Sequence, residues 1–449
     1  MKLWQKDYHL NEEIEKFTIG NDLETDLLLA PYDVIGSIAH AIMLNKSGLL
    51  NDLELEKVNK GLKEIYRKVT SADFRIEEGV EDIHSQVELM LTRVAGESGK
   101  KIHTGRSRND QVLLDIRLYI RDQIFEITRN LDALSRQLIE LSEKNKNVFM
   151  PGYTHFQAAM RSSFGLWFGA YAECIAEDIE LFQSIFLIVN RNPLGSAAGY
   201  GSSFPIRRNI TTELLGFSSL NVNSIAAQMG RGRTERMLSA TLAQTADTLG
   251  RMSSEICLYC GQDFGFFTFP EELMTGSSIM PHKNNPDVFE LIRGKCNQVK
   301  ALPNEMLMLA TNLPSGYHRD YQQMKERIMW AINTVKSCVR IMNFMLQHIV
   351  LNRELDKEKK YRYLFSVELV NEFVNDGMSF RDAYNKVSEL IRSGAYKAPE
   401  NVNYTHEGSI GNLQNDLIMN RLEETRRFFG TQEDQIKMKL SNLAGLKSG

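Results

Sequence analysis

Proline is scarce in this chain, ten residues among 449. None falls between Pro31 and Pro151, between Pro205 and Pro270, or between Pro314 and Pro399. Proline removes a backbone donor and clashes inside a helix, so these gaps leave room for long helices. Cysteine is scarcer still: Cys174, Cys257, Cys260, Cys296 and Cys338. An odd, sparse set in a large chain argues against a disulfide framework and for a reducing, cytoplasmic compartment. Cys257 and Cys260 form one CxxC. With no second pair and no histidine nearby, it reads as two small apolar residues on one helix face, and no metal is expected. An excess of one charge is missing too: the net charge is −4, so no basic field points to nucleic acid. Residues 1–7 lack the apolar core of a signal peptide. No uninterrupted apolar run reaches membrane-spanning length, so no membrane partner is expected.

What is present is a chain of ordinary globular composition, 43% hydrophobic and 24% charged, long enough for about two to four domains. The apolar pattern inside the proline gaps is helical. Val112, Ile116, Tyr119, Ile120, Ile124, Ile127, Leu131, Leu134 and Leu138 recur mostly three or four residues apart. They predict one amphipathic helix of about 30 residues, roughly 45 Å long. Similar spacing runs from Met237 to Met252 and from Val288 to Met308. No run of alternating strands stands out, and no repeat of solenoid length. The fold class is all-α: helical domains around a central bundle of very long helices. The softest boundaries divide the chain into residues 1–107, a central module 108–351, and a small helical module 352–449 opened by the polar run 352–360.

Helices of a bundle bury their apolar stripes, so chemistry belongs in the loops. Four polar segments stand out. In HTGRSRNDQ, residues 103–111, Asn109 and Asp110 are candidate N-caps of the long helix starting near Val112. Ser107, Arg108, Asn109 and the free amides at a helix start form an anion pocket; the bland reading is a capped loop with surface arginines. In MPGYTHFQ, residues 150–157, His155 can exchange a proton near neutral pH and Thr154 sits beside it. A lone histidine is more often structural. In TGSSIMPHKNNPD, residues 275–287, a hydroxyl-rich loop with one lysine precedes a helix expected to take Asn285 as N-cap and Pro286 as first residue. Such a loop can close over a substrate, or be a plain connector. In residues 313–325, Tyr317, Gln322 and Lys325 offer a phenol, an amide and an ammonium; by themselves they read as a polar loop and helix start.

Together these segments resemble the fumarase, aspartase and argininosuccinate lyase superfamily. GSSIMPHKNNP at 276–286 matches its signature G-S-S-x-M-P-x-K-x-N-P. Within it, residues 103–111 look like the argininosuccinate lyase loop letter for letter. The run 81–84, EDIH, with Glu88, and Tyr317 with Gln322 and Lys325, match that family too. So do YDVIGSIAH at 32–40 and PLGSAA at 193–198. The likeness covers nearly the whole chain and is weakest after Leu351. Departures fall at 158–161, AAMR, and at 224–235, SIAAQMGRGRTE, where the family has other residues.

The resemblance implies a three-domain helical subunit, four of which join their long helices into one bundle. Each active site would take loops from three chains of that homotetramer. It implies a small-molecule substrate, argininosuccinate, split by β-elimination into arginine and fumarate with no metal or organic cofactor. By the same likeness Ser277 takes a proton from the carbon beside a carboxylate. Lys283 and Asn285 hold the resulting dianion. His155, oriented by Glu290 and flanked by Thr154, protonates the leaving nitrogen. Asp26, His84, Ser107, Arg108, Asn109, Thr154, Asn285, Tyr317, Gln322 and Lys325 bind the substrate. Ordinary acidities alone would make His155 the base, since a serine hydroxyl needs a neighbouring cation and helix N-terminus to ionise. Two other readings are a sister enzyme acting on adenylosuccinate, malate or aspartate, and a non-catalytic structural descendant such as a lens crystallin. The intact loop at 103–111 argues against the first. Retained Ser277, His155, Thr154 and Lys283 argue against the second.

Overall fold

A computed structural model describes residues 11–20, 22–71, 74–399 and 402–446. Residues 1–7, read above as lacking a signal-peptide core, lie outside them. Along the chain run helices α1 (Glu12–Ile19), α2 (Asp22–Lys46), α3 (Asp52–Val69), α4 (Ile83–Ala95), α5 (Glu97–Lys100), α6 (Arg108–Lys144) and α7 (Phe164–Val189). They continue as α8 (Arg208–Leu214), α9 (Ser224–Tyr259), α10 (Asp287–Leu309), α11 (Gln322–Leu346), α12 (Ser366–Asn375), α13 (Phe380–Ser393) and α14 (Asn415–Ala444). The class is the all-α one expected.

The main core joins α6, α7, α9, α10, α11 and α14. From α6 it takes Ile116, Ile120, Ile124, Ile127, Leu131, Leu134 and Leu138, each buried. Every such side chain removed from water contributes about 1.5–3 kcal/mol. A second core lies under α2, α3 and α4 and takes Leu114 and Leu118 from α6. The long helix α6 is thus apolar on two faces near its start and seals two cores at once. Helix α2 shows why composition alone misleads. Leu23–Lys46 is apolar enough to cross a membrane, with mean hydropathy 1.6, yet 72% of its most apolar window is buried within the protein. Alone of the three cores, the smallest (Val370, Ala383, Val387) belongs to α12 and α13.

Several local expectations shift. The long helix has 37 residues and starts at Arg108, with Ser107 as N-cap rather than Asn109 or Asp110. Asp110 instead completes a capping box: its side chain accepts the Ser107 N–H at 2.9 Å. Helix α10 starts at Asp287, so Pro286 is the cap residue and Asn285 lies in a short strand. Prolines do occur within helices, Pro31 in α2 and Pro303 in α10. Strands exist where none stood out. Strands β1 (Phe149–Thr154) and β2 (Gln157–Ser163) form an antiparallel hairpin. A bulge after Gly152 interrupts its register. Neither strand keeps one buried face, so no period-two apolar pattern marked it. Among the described residues, three other strand pairings are two residues long, one of them Thr275–Gly276 with Asn284–Asn285.

Candidate active site

Four elements meet at the start of α6. The first turn of α6 brings Arg108 and Asn109, α2 brings Asp26, the start of α4 brings His84, and α11 with the loop before it brings Tyr317, Gln322 and Lys325. All line one cleft of about 270 Å³. Seven residues named from segments far apart in the chain therefore share one wall. Ser107, the eighth from this side of the chain, caps α6 at the same place, its Oγ accepting the Asn109 N–H at 3.3 Å.

The cations of this cleft are held before any substrate arrives. Lys325 Nζ lies 2.5 Å from Asp26 Oδ1, both side chains buried. The second Asp26 oxygen accepts the Ile83 N–H at 3.2 Å. Arg108 Nη1 lies 2.9 Å from Asp82 Oδ2, and its Nη2 donates to Ser85 Oγ at 2.8 Å. Fixed donors of this kind need little rearrangement to receive an anion. Asp110 fastens the loop to its neighbour: its Oδ2 accepts the N–H groups of Gly195 and Ala197, each at 2.9 Å. The motifs at 103–111 and 193–198 are thereby tied by one carboxylate. Burial pushes that carboxyl up to about 6, against the downward pull of its backbone N–H donors.

Ser277, His155, Thr154, Lys283, Glu290 and Asn285 do not line this cleft. Thr154 pairs with Gln157 across the hairpin, leaving His155 and Phe156 as its two-residue turn. Both carry positive φ, 54° and 57°, the left-handed pair that a tight hairpin demands and non-glycine residues resist. Both are exposed. Ser277 opens the loop between the strands at 275–276 and 284–285. Its Oγ accepts N–H groups from Met280 at 3.1 Å and Ile279 at 3.4 Å. Donors aimed at an oxygen favour its ionised form. Lys283 and Glu290 are exposed, and Asn285 is half-buried. Within the described residues no hydrogen bond or ion pair joins His155 to Glu290.

The helices explain this separation. Arg108 and Asn109 begin α6, and the hairpin bearing His155 follows its end; at 1.5 Å per residue that helix spans roughly 55 Å. The Ser277 loop precedes α10, and Tyr317 follows it, about 35 Å along. One copy of the chain thus carries two half-sets of polar groups at opposite ends.

Sequence reasoning missed several lining residues: Glu81, Asp82, Val112, Arg231 and Arg319. Arg231 is buried, with Nε 3.1 Å from Glu235 Oε1 and Nη2 donating to the Tyr321 carbonyl at 3.1 Å. It reaches the cleft because α9 breaks there: Arg231 has ψ 134° and Gly232 has φ 76°. The glycine in a short basic run was the available signal. A His and carboxylate cluster also appears where spacing showed none. Asp33, His84 and Asp115 place side-chain atoms within 4.8 Å of one another. Two N–H groups, from His84 and Gln111, already point at the same Asp33 oxygen, so that oxygen is engaged by donors and we assign no metal to it.

The comparisons agree with the geometry. A family model described as "Lyase" matches residues 7–301. An argininosuccinate lyase of Bacteroides thetaiotaomicron is 54% identical over 93% of this chain and 94% of its own. Among solved structures, an EDDS lyase variant with bound fumarate superposes with a TM-score of 0.77 at 20% identity, covering 96% of this chain and 94% of that one. A class II fumarase from Schistosoma mansoni gives 0.71 at 18%, covering 98% and 96%. The two structures share the helical fold. The sequence relative matching 93% of this chain, the family model and the cleft built from its motifs together place this chain in the argininosuccinate lyase family.

Proposed function

We propose that this protein splits argininosuccinate into arginine and fumarate, the final step of arginine biosynthesis, and does so in the cytoplasm as a homotetramer. The observation that carries this reading is the cleft at the start of α6, where Lys325, Arg108 and Arg231 stand pre-paired with acids. A substrate with carboxylates at both ends and a guanidino group between suits such a mixed lining. Ser277 takes the proton beside a carboxylate. Its Oγ already receives two backbone N–H groups, which ease ionisation of the hydroxyl to the form that can take a proton. Charge flows into the carboxylate, where Lys283 and Asn285 meet it. The bond from carbon to the guanidino nitrogen then breaks, and His155, with Thr154 beside it and Glu290 to orient it, gives that nitrogen a proton.

The half-sets at opposite ends of α6 and α10 support a site completed by neighbouring copies. The exposed Leu291, Leu307 and Met308 on α10 and Phe344 on α11 give those copies an apolar face to bury. The test is fumarate absorbance after adding argininosuccinate to purified protein, with adenylosuccinate and aspartate in parallel. Fumarate from argininosuccinate alone is expected. Fumarate from another of the three would move the chain to a sister activity, and none from any would leave a structural protein.

A further inference from the structure

Behind the cleft wall lies a buried group that the reaction above does not use. Asp33 on α2, His84 on α4 and Asp115 on α6 are 0%, 5% and 0% exposed. His84 Nδ1 is 2.9 Å from Asp33 Oδ1 and 3.6 Å from Asp115 Oδ2. Gln111 Nε2 donates to the same Asp33 oxygen at 2.5 Å. Neither Asp115 oxygen receives a hydrogen bond, and neither does Asp33 Oδ2. Two ionised carboxylates this close and this dry repel each other and lack the donors that each needs. The cheapest remedy is a proton on one of them.

The surroundings decide which. Burial pushes the Asp33 carboxyl up, but His84, then Arg106 and Gln111, outweigh it and leave Asp33 below the usual carboxylate range. Burial, then the Asp33 charge, push the Asp115 carboxyl well above that range. The charged groups around Asp115 are Asp33 and Asp26 from α2, Arg106 from the loop before α6, and Lys325 from α11, with the His84 ring of α4 beside them. The two cations only partly offset the two acids and the loss of water. Since Nδ1 of His84 faces Asp33, Nε2 is the ring nitrogen left for the cleft that the ring lines.

We propose that Asp33 and Asp115 are positioning residues for the lyase reaction: Asp33 fixes the His84 ring and its tautomer, and Asp115 stands behind as a neutral acid. A single negative charge then backs the ring, and an anionic substrate is not repelled by a second. The inference rests on the argininosuccinate lyase reading.

The test measures kcat and KM for argininosuccinate between pH 6 and 9. Asp115→Leu should raise KM, because it removes the polar group that stands behind the His84 ring. Asp115→Asn, shaped like the neutral acid, should restore KM to within about threefold of wild type and abolish the rise in KM expected of wild type toward alkaline pH. Asp33→Asn should raise KM about tenfold to a hundredfold with a smaller change in kcat, the usual weight of a hydrogen bond to a charged group. If Asp115→Asn is as impaired as Asp115→Leu, Asp115 works ionised and the proposal is wrong. An unchanged KM and pH profile in Asp33→Asn would sink it equally. Infrared difference spectra of wild type minus Asp115→Asn at pH 7 need no turnover. A protonated carboxyl C=O band present only in wild type supports the neutral acid, and its absence overturns it. An inactive wild type that shows this band would remove the lyase reading and leave the neutral acid standing.

Discussion

The Asp110 carboxylate takes three backbone N–H groups, from Ser107, Gly195 and Ala197, and so couples a helix cap to a distant loop. An amide cannot do this, because its NH₂ group would face N–H donors. Asp110→Asn should lower stability by about 1–3 kcal/mol, the cost of unsatisfied buried groups, and lower kcat/KM with it; urea denaturation and the fumarate assay would show both. Ser277→Ala and His155→Asn should each lower kcat by about a hundredfold or more, as loss of an acid or base group does. Near-native turnover in both would remove them from the mechanism. Away from the cleft, burial pushes the Asp178 carboxyl up to about 7. Such an acid binds a proton more tightly folded than unfolded. Its contribution is therefore present at acid pH and is lost as pH rises from about 4 to 7, by up to about 4 kcal/mol. Asp178→Asn should flatten the decline in Tm between pH 5 and pH 8. At this scale the sequence exposed Arg108, Asn109, Tyr317, Gln322 and Lys325, which sit in runs too polar for a core, while Asp26 and His84 came only through the family likeness and Glu81, Asp82, Arg231 and Arg319 went unnoticed. It hid Asp115, which looks like any other acid along a helix until its unpartnered oxygens are seen.

Elements were legible wherever packing repeats. The apolar positions of α6 every three or four residues reflect a core on one side of a long cylinder, and so do those of α9 and α10. What stayed hidden was local geometry with no period: the β1–β2 hairpin, whose strands bury no continuous face, and the break in α9. That break depends on Gly232. Its φ of 76° is strained for any other residue, and a methyl group there would lie 2.6 Å from the Tyr321 ring. Gly232→Ala should cost about 1–3 kcal/mol for the backbone alone and shift Tyr321. Arg231 would turn from the cleft, so KM should rise more than kcat falls. A variant with unchanged KM and Tm would show that the break follows from other contacts.

For the whole molecule, one folded copy with two half-sets leads to a prediction about mixtures. Lys325→Ala damages the cleft half, and His155→Asn damages the hairpin half. Each variant alone should be nearly inactive. Unfolded and refolded together, the two should regain part of the wild-type rate, because some sites would draw both halves from intact loops. No gain in a mixed assembly would mean that each site is completed within one chain. Light scattering on the wild type should give four times the 51.3 kDa chain mass; a monomer that still turns over substrate would contradict the shared site.

The unbroken 37-residue run of α6 also bears on how such a protein can change over evolutionary time. Adding one residue to a helix turns everything beyond it by about 100° and shifts it by about 1.5 Å. A single-codon insertion near Leu131 would therefore rotate the hairpin end against the cleft end, whatever residue was added. Loops such as residues 402–414 can lengthen without that penalty. Lineages of this chain should then differ in loop length and tail sequence, while the codon count between Arg108 and Lys144 stays nearly constant.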